Sequence, residues 1–242
     1  MSNACNDHYK QLHAESGAVL AESFAGSRAE AMAKSHAFIG DLGLWIVELG
    51  KRPEVPVLQA THREYQFALL ALSAGHYRAA FSALRLTLEL GFAAVQWSAN
   101  ERELREWLRG QRDTNWLSLI DAEKGILSKQ FVLLFSESLA DEAAQYRSAA
   151  AVYRECSEYV HGNAHTHRSI PEQLTFDDAS FEAWQKKASV VRLTISYALA
   201  ARYLCDFDAA NRSHLENTLM DQLGHSGGVR ALLGGPSEVS NG

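Results

Sequence analysis

Residues 76–97 read HYRAAFSALRLTLELGFAAVQW, a run that is apolar around most of a helical circumference and broken by a few polar side chains. It holds no proline and no alternation of period two, so its spacing predicts a helix from 77 to about 98, buried on several sides. At about 100° per residue, Arg78, Arg85, Glu89 and Gln96 fall in a strip on the order of 40° wide, with Ser82 beside it. Two readings of the strip are open. It faces solvent, with Arg85 and Glu89 as an i,i+4 pair, or it faces an internal polar groove in which that pair fixes the guanidinium for work on a ligand.

Working outward, apolar residues recur at three- and four-residue spacing almost throughout, and no sustained period-two run is bounded by turn dipeptides. The expected helices cover 8–24 and 27–50, the second capped by Ser27, with Pro53 and Pro56 breaking the chain after it. Further helices are expected over 57–74, from Asn100 or Glu101 to Gly110, in two short pieces between Trp116 and Glu137, and over 141–161. The last of these stops at Gly162-Asn163, a pair suited to a left-handed helix end. A loop with Pro171 leads to helices over 178–206 and 212–222. The pattern implies one all-α domain over 1–223, a helical bundle with a core at about 57–206 and additional N- and C-terminal helices. The Gly/Ser-rich stretch 224–242 reads as a flexible tail.

Composition agrees with this class. Of 242 residues 47% are hydrophobic and 21% charged, which excludes disorder and collagen, and 4 prolines with 16 glycines are too few for a turn-dense β fold. The formal charge of −6 gives no general attraction to phosphate or anionic lipid, so nucleic-acid binding requires a local basic patch. Three dispersed cysteines, Cys5, Cys156 and Cys205, suit a reducing compartment, and no targeting or membrane segment is read, so a cytoplasmic protein without membrane contact is expected.

The 141–161 segment repeats the layout of 76–97. Arg147, Arg154, Glu158 and His161 are expected on one face, and aligning Tyr77-Arg78 with Tyr146-Arg147 superposes Arg85 on Arg154 and Glu89 on Glu158, a shared Y-R-x6-R-x3-E. If the two helices pack as antiparallel neighbours, their stripes face one another across a polar seam. His161 falls at a helix C-terminus, where the helix dipole suits a proton donor, and Arg154 two turns earlier is a planar cation suited to phosphate oxygens. Together they hold what RNA cleavage by 2′-OH attack needs, acid–base chemistry and charge stabilisation. The bland alternative is a capping histidine and an Arg154–Glu158 pair.

The segment Tyr153-Arg154-Glu155-Cys156-Ser157-Glu158-Tyr159-Val160-His161-Gly162 resembles the motif region of HEPN-like proteins, helical domains of prokaryotic defence and toxin systems with an Arg-x4–6-His signature, here Arg-x6-His. The stretch Arg85-Leu86-Thr87-Leu88-Glu89, with Ser157-x2-Val160-His161-Gly162, looks like uncharacterised all-α families at the edge of that group. The resemblance implies a HEPN-type bundle that forms a homodimer and a metal-independent, cofactor-free endoribonuclease with Arg154 as phosphate binder and His161 as acid or base. Arg85, Glu89, Glu158, Arg147 and Arg78 support them. The residue after the arginine is commonly Asn, Asp or His in active members and is Glu155 here. Its carboxylate would repel a scissile phosphate, so either Glu155 points away or the chain is a non-catalytic helical subunit with a protein partner.

Two other constellations compete. His161, His165 and His167 form H-x3-H-x-H, a spacing compatible with a divalent metal in a metal-dependent enzyme. ERELREWLRGQR (101–112) places Arg102, Arg105, Arg109 and Arg112 on one side of a helix, which reads as an RNA-contacting patch or as a solvated face offset by Glu101, Glu103 and Glu106. No Walker or Rossmann loop, nucleophile elbow or zinc ribbon is found.

Overall fold

The computed structural model describes residues 2–236, and among them there are twelve α-helices, two 3₁₀ segments and no strand. The helices are α1 (Ser2–Ser23), α2 (Arg28–Leu49), α3 (Val55–Ser73), α4 (Tyr77–Ser98), α5 (Glu101–Leu108) and α6 (Trp116–Leu119). They continue with α7 (Lys129–Leu133), α8 (Ala149–His161), α9 (Ala164–Arg168), α10 (Asp178–Tyr203), α11 (Ala209–Leu223) and α12 (Gly227–Leu232). The chain is thus an all-α bundle, and none of the described helices is long and apolar enough to cross a membrane.

Helix α4 is the hub, in contact with α3, α8 and α10. Its side chains from Thr87 to Val95 are all buried, as the near-continuous apolar circumference of 76–97 requires. It meets α10 closely because Gly91 has no side chain: a Cβ there would stand 2.8 Å from Ile195 Cδ1. The same helix pair is pinned by Trp184, fully buried on α10, whose indole N–H donates to the Ala80 carbonyl at 3.1 Å. Outside this core, α2 covers α3 and part of α10, and α11 lies against α10 and α2. Each terminus of the bundle therefore adds a covering layer.

Three departures from the sequence expectation have physical reasons. The segment expected as one helix over 141–161 is a 3₁₀ helix, Ala143–Ser148, followed by α8. With three residues per turn, Ala143, Tyr146 and Ala149 all become buried on one edge, and Tyr146 stacks on Tyr197 of α10 at 3.7 Å. Tertiary packing selects the tighter helix. At the far end of α8, Gly162 alone takes the left-handed conformation (φ 65°), and the loop expected after it contains α9. The Gly/Ser-rich stretch is folded through α12, which buries Val229 completely and receives its N-terminal cap from Ser226. Residues 237–242 of the expected tail lie outside the described residues. Smaller differences concern α1, which begins at Ser2, and the ends of α5, α10 and α11.

The Gly91–Ile195 approach leaves no room for a branched side chain. Gly91→Val is expected to lower unfolding free energy by about 1–3 kcal/mol through overpacking, read as a reduced denaturation midpoint with the helical circular dichroism of the native state retained.

Candidate functional site

The polar strip of α4 faces α8, and the two helices run antiparallel: Arg78 meets Tyr159, Arg85 meets Ser157 and Tyr153, and Glu89 meets Tyr153. The residues that α8 turns toward α4 are nevertheless its tyrosines and Ser157, not the expected Arg154, Glu158 and His161. Arg85 Nη1 pairs with Glu89 at 2.9 Å, its Nε donates to Ser157 Oγ at 3.0 Å, and Nη2 donates to the Tyr153 hydroxyl. The Tyr153 hydroxyl donates to Glu89 at 3.3 Å, and Thr114 donates to the other Glu89 oxygen at 2.5 Å. The Tyr153 ring stacks on Trp116 at 3.7 Å, and the Arg85 guanidinium carbon lies 4.4 Å from its centroid.

Around Arg85 and Glu89 this seam is satisfied from within, while Gln96 at the end of the strip keeps a buried Oε1 without a hydrogen-bond partner. Glu89 is buried, yet each of its carboxylate oxygens has a hydrogen-bond donor, which meets the condition on which a buried ion pair is tolerated. Burial, reinforced by the Glu89 charge, pushes the Tyr153 hydroxyl up to about 12, so it stays protonated and donating. Arg85 and Glu89 thus position α8 and leave no open groove beside them. Sequence reading missed Tyr153, Ser157, Thr114 and Trp116; the i,i+4 spacing of Tyr153 and Ser157, next to the buried Val152 and Cys156, was the available signal.

The opposite face of α8 is open. Arg154 and His161 are both exposed, separated by two helical turns or about 10 Å of axis, and neither has a hydrogen bond or ion pair among the described residues. Glu155, the carboxylate of concern, is drawn away by an ion pair with Lys187 of α10. Arg147 does not join this face: it lies in the 3₁₀ segment, and its guanidinium reaches the Ile120 carbonyl at 3.5 Å. The Arg78 and Arg147 positions of the two aligned stretches are therefore not equivalent in space. Glu158 accepts from Asn163 and approaches His165 at 3.9 Å, so it does not pair with Arg154.

The three histidines at the end of α8 do not form a ligand set. His165 turns to Glu158 and His167 to Arg78, and no group of three His, Cys, Asp or Glu side chains able to hold a metal occurs among the described residues. The arginines of the 101–112 stretch are largely neutralised: Arg102 and Arg105 on α5 pair with Glu106 and Glu101, and Arg112 beyond it pairs with Glu103 and Glu106. Arg109 alone of the four has no such partner among the described residues. Of the two readings of this stretch, the face offset by Glu101, Glu103 and Glu106 is the one these pairs describe, whereas Arg154 on α8 is open.

Tyr153→Phe keeps the stack on Trp116 and removes the hydroxyl shared by Arg85 and Glu89, so a loss of about 1–2 kcal/mol of stability is expected from denaturant titration. Because the folded hydroxyl ionises near 12 and an unfolded tyrosine near 10, Tyr153 contributes stability below pH 10 that fades as the pH rises to 12. The fall of wild-type stability over that interval should be shallower in the phenylalanine variant.

The chain matches no family model, no curated protein and no solved structure; the geometry of α8 is therefore what a functional reading has to rest on.

Proposed function

We propose that the chain is a HEPN-like, metal-independent endoribonuclease that works as a homodimer, with Arg154 and His161 as its reactive pair. The observation that carries this reading is the exposed α8 face, where a free guanidinium and a free imidazole stand in line on a helix anchored from behind, with Glu155 engaged elsewhere. A separation of about 10 Å along the axis is wide for one phosphate to be held and protonated by a single copy. Two α8 faces brought together would set the arginine of one copy near the histidine of the other. In that cleft the 2′-hydroxyl of RNA attacks the adjacent phosphorus after losing its proton to one imidazole. The 5′-oxygen leaves with a proton from the second, and Arg154 offsets the charge on the pentacoordinate phosphate, giving a cyclic 2′,3′-phosphate and a 5′-hydroxyl.

Wild-type protein should cleave single-stranded RNA in EDTA, and His161→Ala and Arg154→Ala should each lower the rate by about 10²–10⁴-fold. Both side chains are exposed and unpartnered, so thermal stability should stay within about 0.5 kcal/mol of wild type. Cleavage that persists in both variants would sink the assignment.

A second reading has its own observation. Leu20, Phe24 and Leu70 are 46%, 51% and 64% exposed along a groove of about 540 Å³ between α1, α2 and α3, and contiguous apolar surface of this kind marks protein contacts. It favours a non-catalytic helical interaction subunit. Wild-type protein that leaves RNA intact, and whose assembly is disrupted by Leu70→Lys but not by His161→Ala, would select it.

A further inference from the structure

Arg78 is a half-buried cation held by a carbonyl, a hydroxyl and an imidazole nitrogen. Its Nη1 donates to the Tyr159 carbonyl at 2.6 Å, and Nη2 donates to Thr166 Oγ1 at 3.2 Å and to His167 Nδ1 at 3.4 Å. Among the described residues it makes no ion pair with a carboxylate. The Tyr159 carbonyl belongs to the last turn of α8, so part of this charge is met by the helix dipole, but a fixed guanidinium still carries donor capacity and net charge. Two of its five N–H groups, the second on Nη1 and the one on Nε, are not spent on these contacts.

The contact with His167 also sets the chemistry of that ring. Arginine only donates, so in this contact Nδ1 is the acceptor, and a neutral ring that accepts there carries its proton on Nε2. Nε2 points to the turn at Gly162: a Cβ built on that glycine would lie 3.8 Å from His167 Nε2 and 3.9 Å from Arg78 Nη1. A donor of fixed tautomer and an uncompensated guanidinium therefore converge on the residue next to His161. His165 has no share in this arrangement, because it faces Glu158.

We propose that His167 and Arg78, meeting over the Gly162 turn, form a phosphodiester-binding subsite adjoining His161, in which His167 Nε2–H and the free guanidinium N–H groups hold an RNA phosphate next to the one that reacts. The subsite rests on the ribonuclease reading for its substrate, and on geometry alone for its affinity for phosphate. Within it His167 positions the strand and takes no proton.

The test compares His167→Asn, which retains an acceptor for Arg78 but loses the distal donor, with His167→Gln, which restores a donor near the Nε2 position. Full-length protein is titrated with inorganic phosphate while histidine ring signals are followed by NMR, and cleavage of a labelled single-stranded RNA gives kcat and KM. Phosphate should move the His167 ring signals. KM should rise about tenfold in the asparagine variant, the loss of one hydrogen bond to a charged group, remain within about threefold of wild type in the glutamine variant, and kcat should stay within about twofold in both. Equal behaviour of the two variants, or His167 signals indifferent to phosphate, overturns the subsite while His161-dependent cleavage leaves the ribonuclease reading standing. Phosphate-induced shifts at His167 in a protein that cleaves no RNA support the anion subsite and remove the ribonuclease. Neither shifts nor cleavage overturns both.

Discussion

Helix α4 is enclosed by α3, α8 and α10, and it carries an ion pair into that enclosure. An apolar helix can be packed in several rotations at similar energy, whereas a buried Glu89 and a mostly buried Arg85 are tolerated only where every donor and acceptor finds its complement. Tyr153, Ser157 and Thr114 supply those complements. The ion pair therefore fixes the rotation of α8 about its axis, and with it the identity of the outward residues. Once Tyr153 is committed to the seam, the residue 100° further round, Arg154, must point outward, and the heptad step from Arg154 to His161 keeps the histidine on the same side.

Much of the architecture was legible from periodicity. The helices α2, α3, α4 and α10 follow from spacing and from the glycines and prolines between them, because each buries a face wide enough to dominate local preference. What escaped depends on partners distant in sequence. The 3₁₀ segment exists because Tyr146 stacks on Tyr197, and α12 because Val229 finds a fully buried place and the Gly228 amide donates to Glu142 at 3.2 Å. Neither contact leaves a local signature. At the site, both polar strips are visible in the sequence and the two helices do pack antiparallel, but the strips do not meet, because Tyr153 and Ser157 take the side of α8 that faces α4. The Glu155–Lys187 pair spans two helices that nothing in the spacing links.

Charge is distributed by the same logic. In a chain of net charge −6, several arginines lie against carboxylates: Arg102 and Arg105 on α5 and Arg112 just after it, Arg28 beside Glu22, Arg52 beside Glu54, Arg202 beside Asp206. Other arginines make no such pair among the described residues, and two of them flank α8: Arg154 is open, and Arg78 is held by a carbonyl, a hydroxyl and an imidazole nitrogen. Against a screening length of about 8 Å at physiological salt, a cation without a carboxylate partner is felt locally even in a molecule of net negative charge.

The contact between Gly91 and Ile195 also bears on how the chain reaches its fold. The α3–α4 hairpin is local and can form as soon as its residues are available, but the surfaces of α4 that receive α8 and α10 are completed only by residues 64 to 104 positions later, a long-range closure of the kind that slows folding. In the interval a nascent chain presents one of its most apolar helices with two sides bare and an ion pair half made. Apolar surface left bare in this way is where partly folded chains aggregate. Side chains on α4 are thus constrained by what the growing chain must survive as well as by what the finished core must fit.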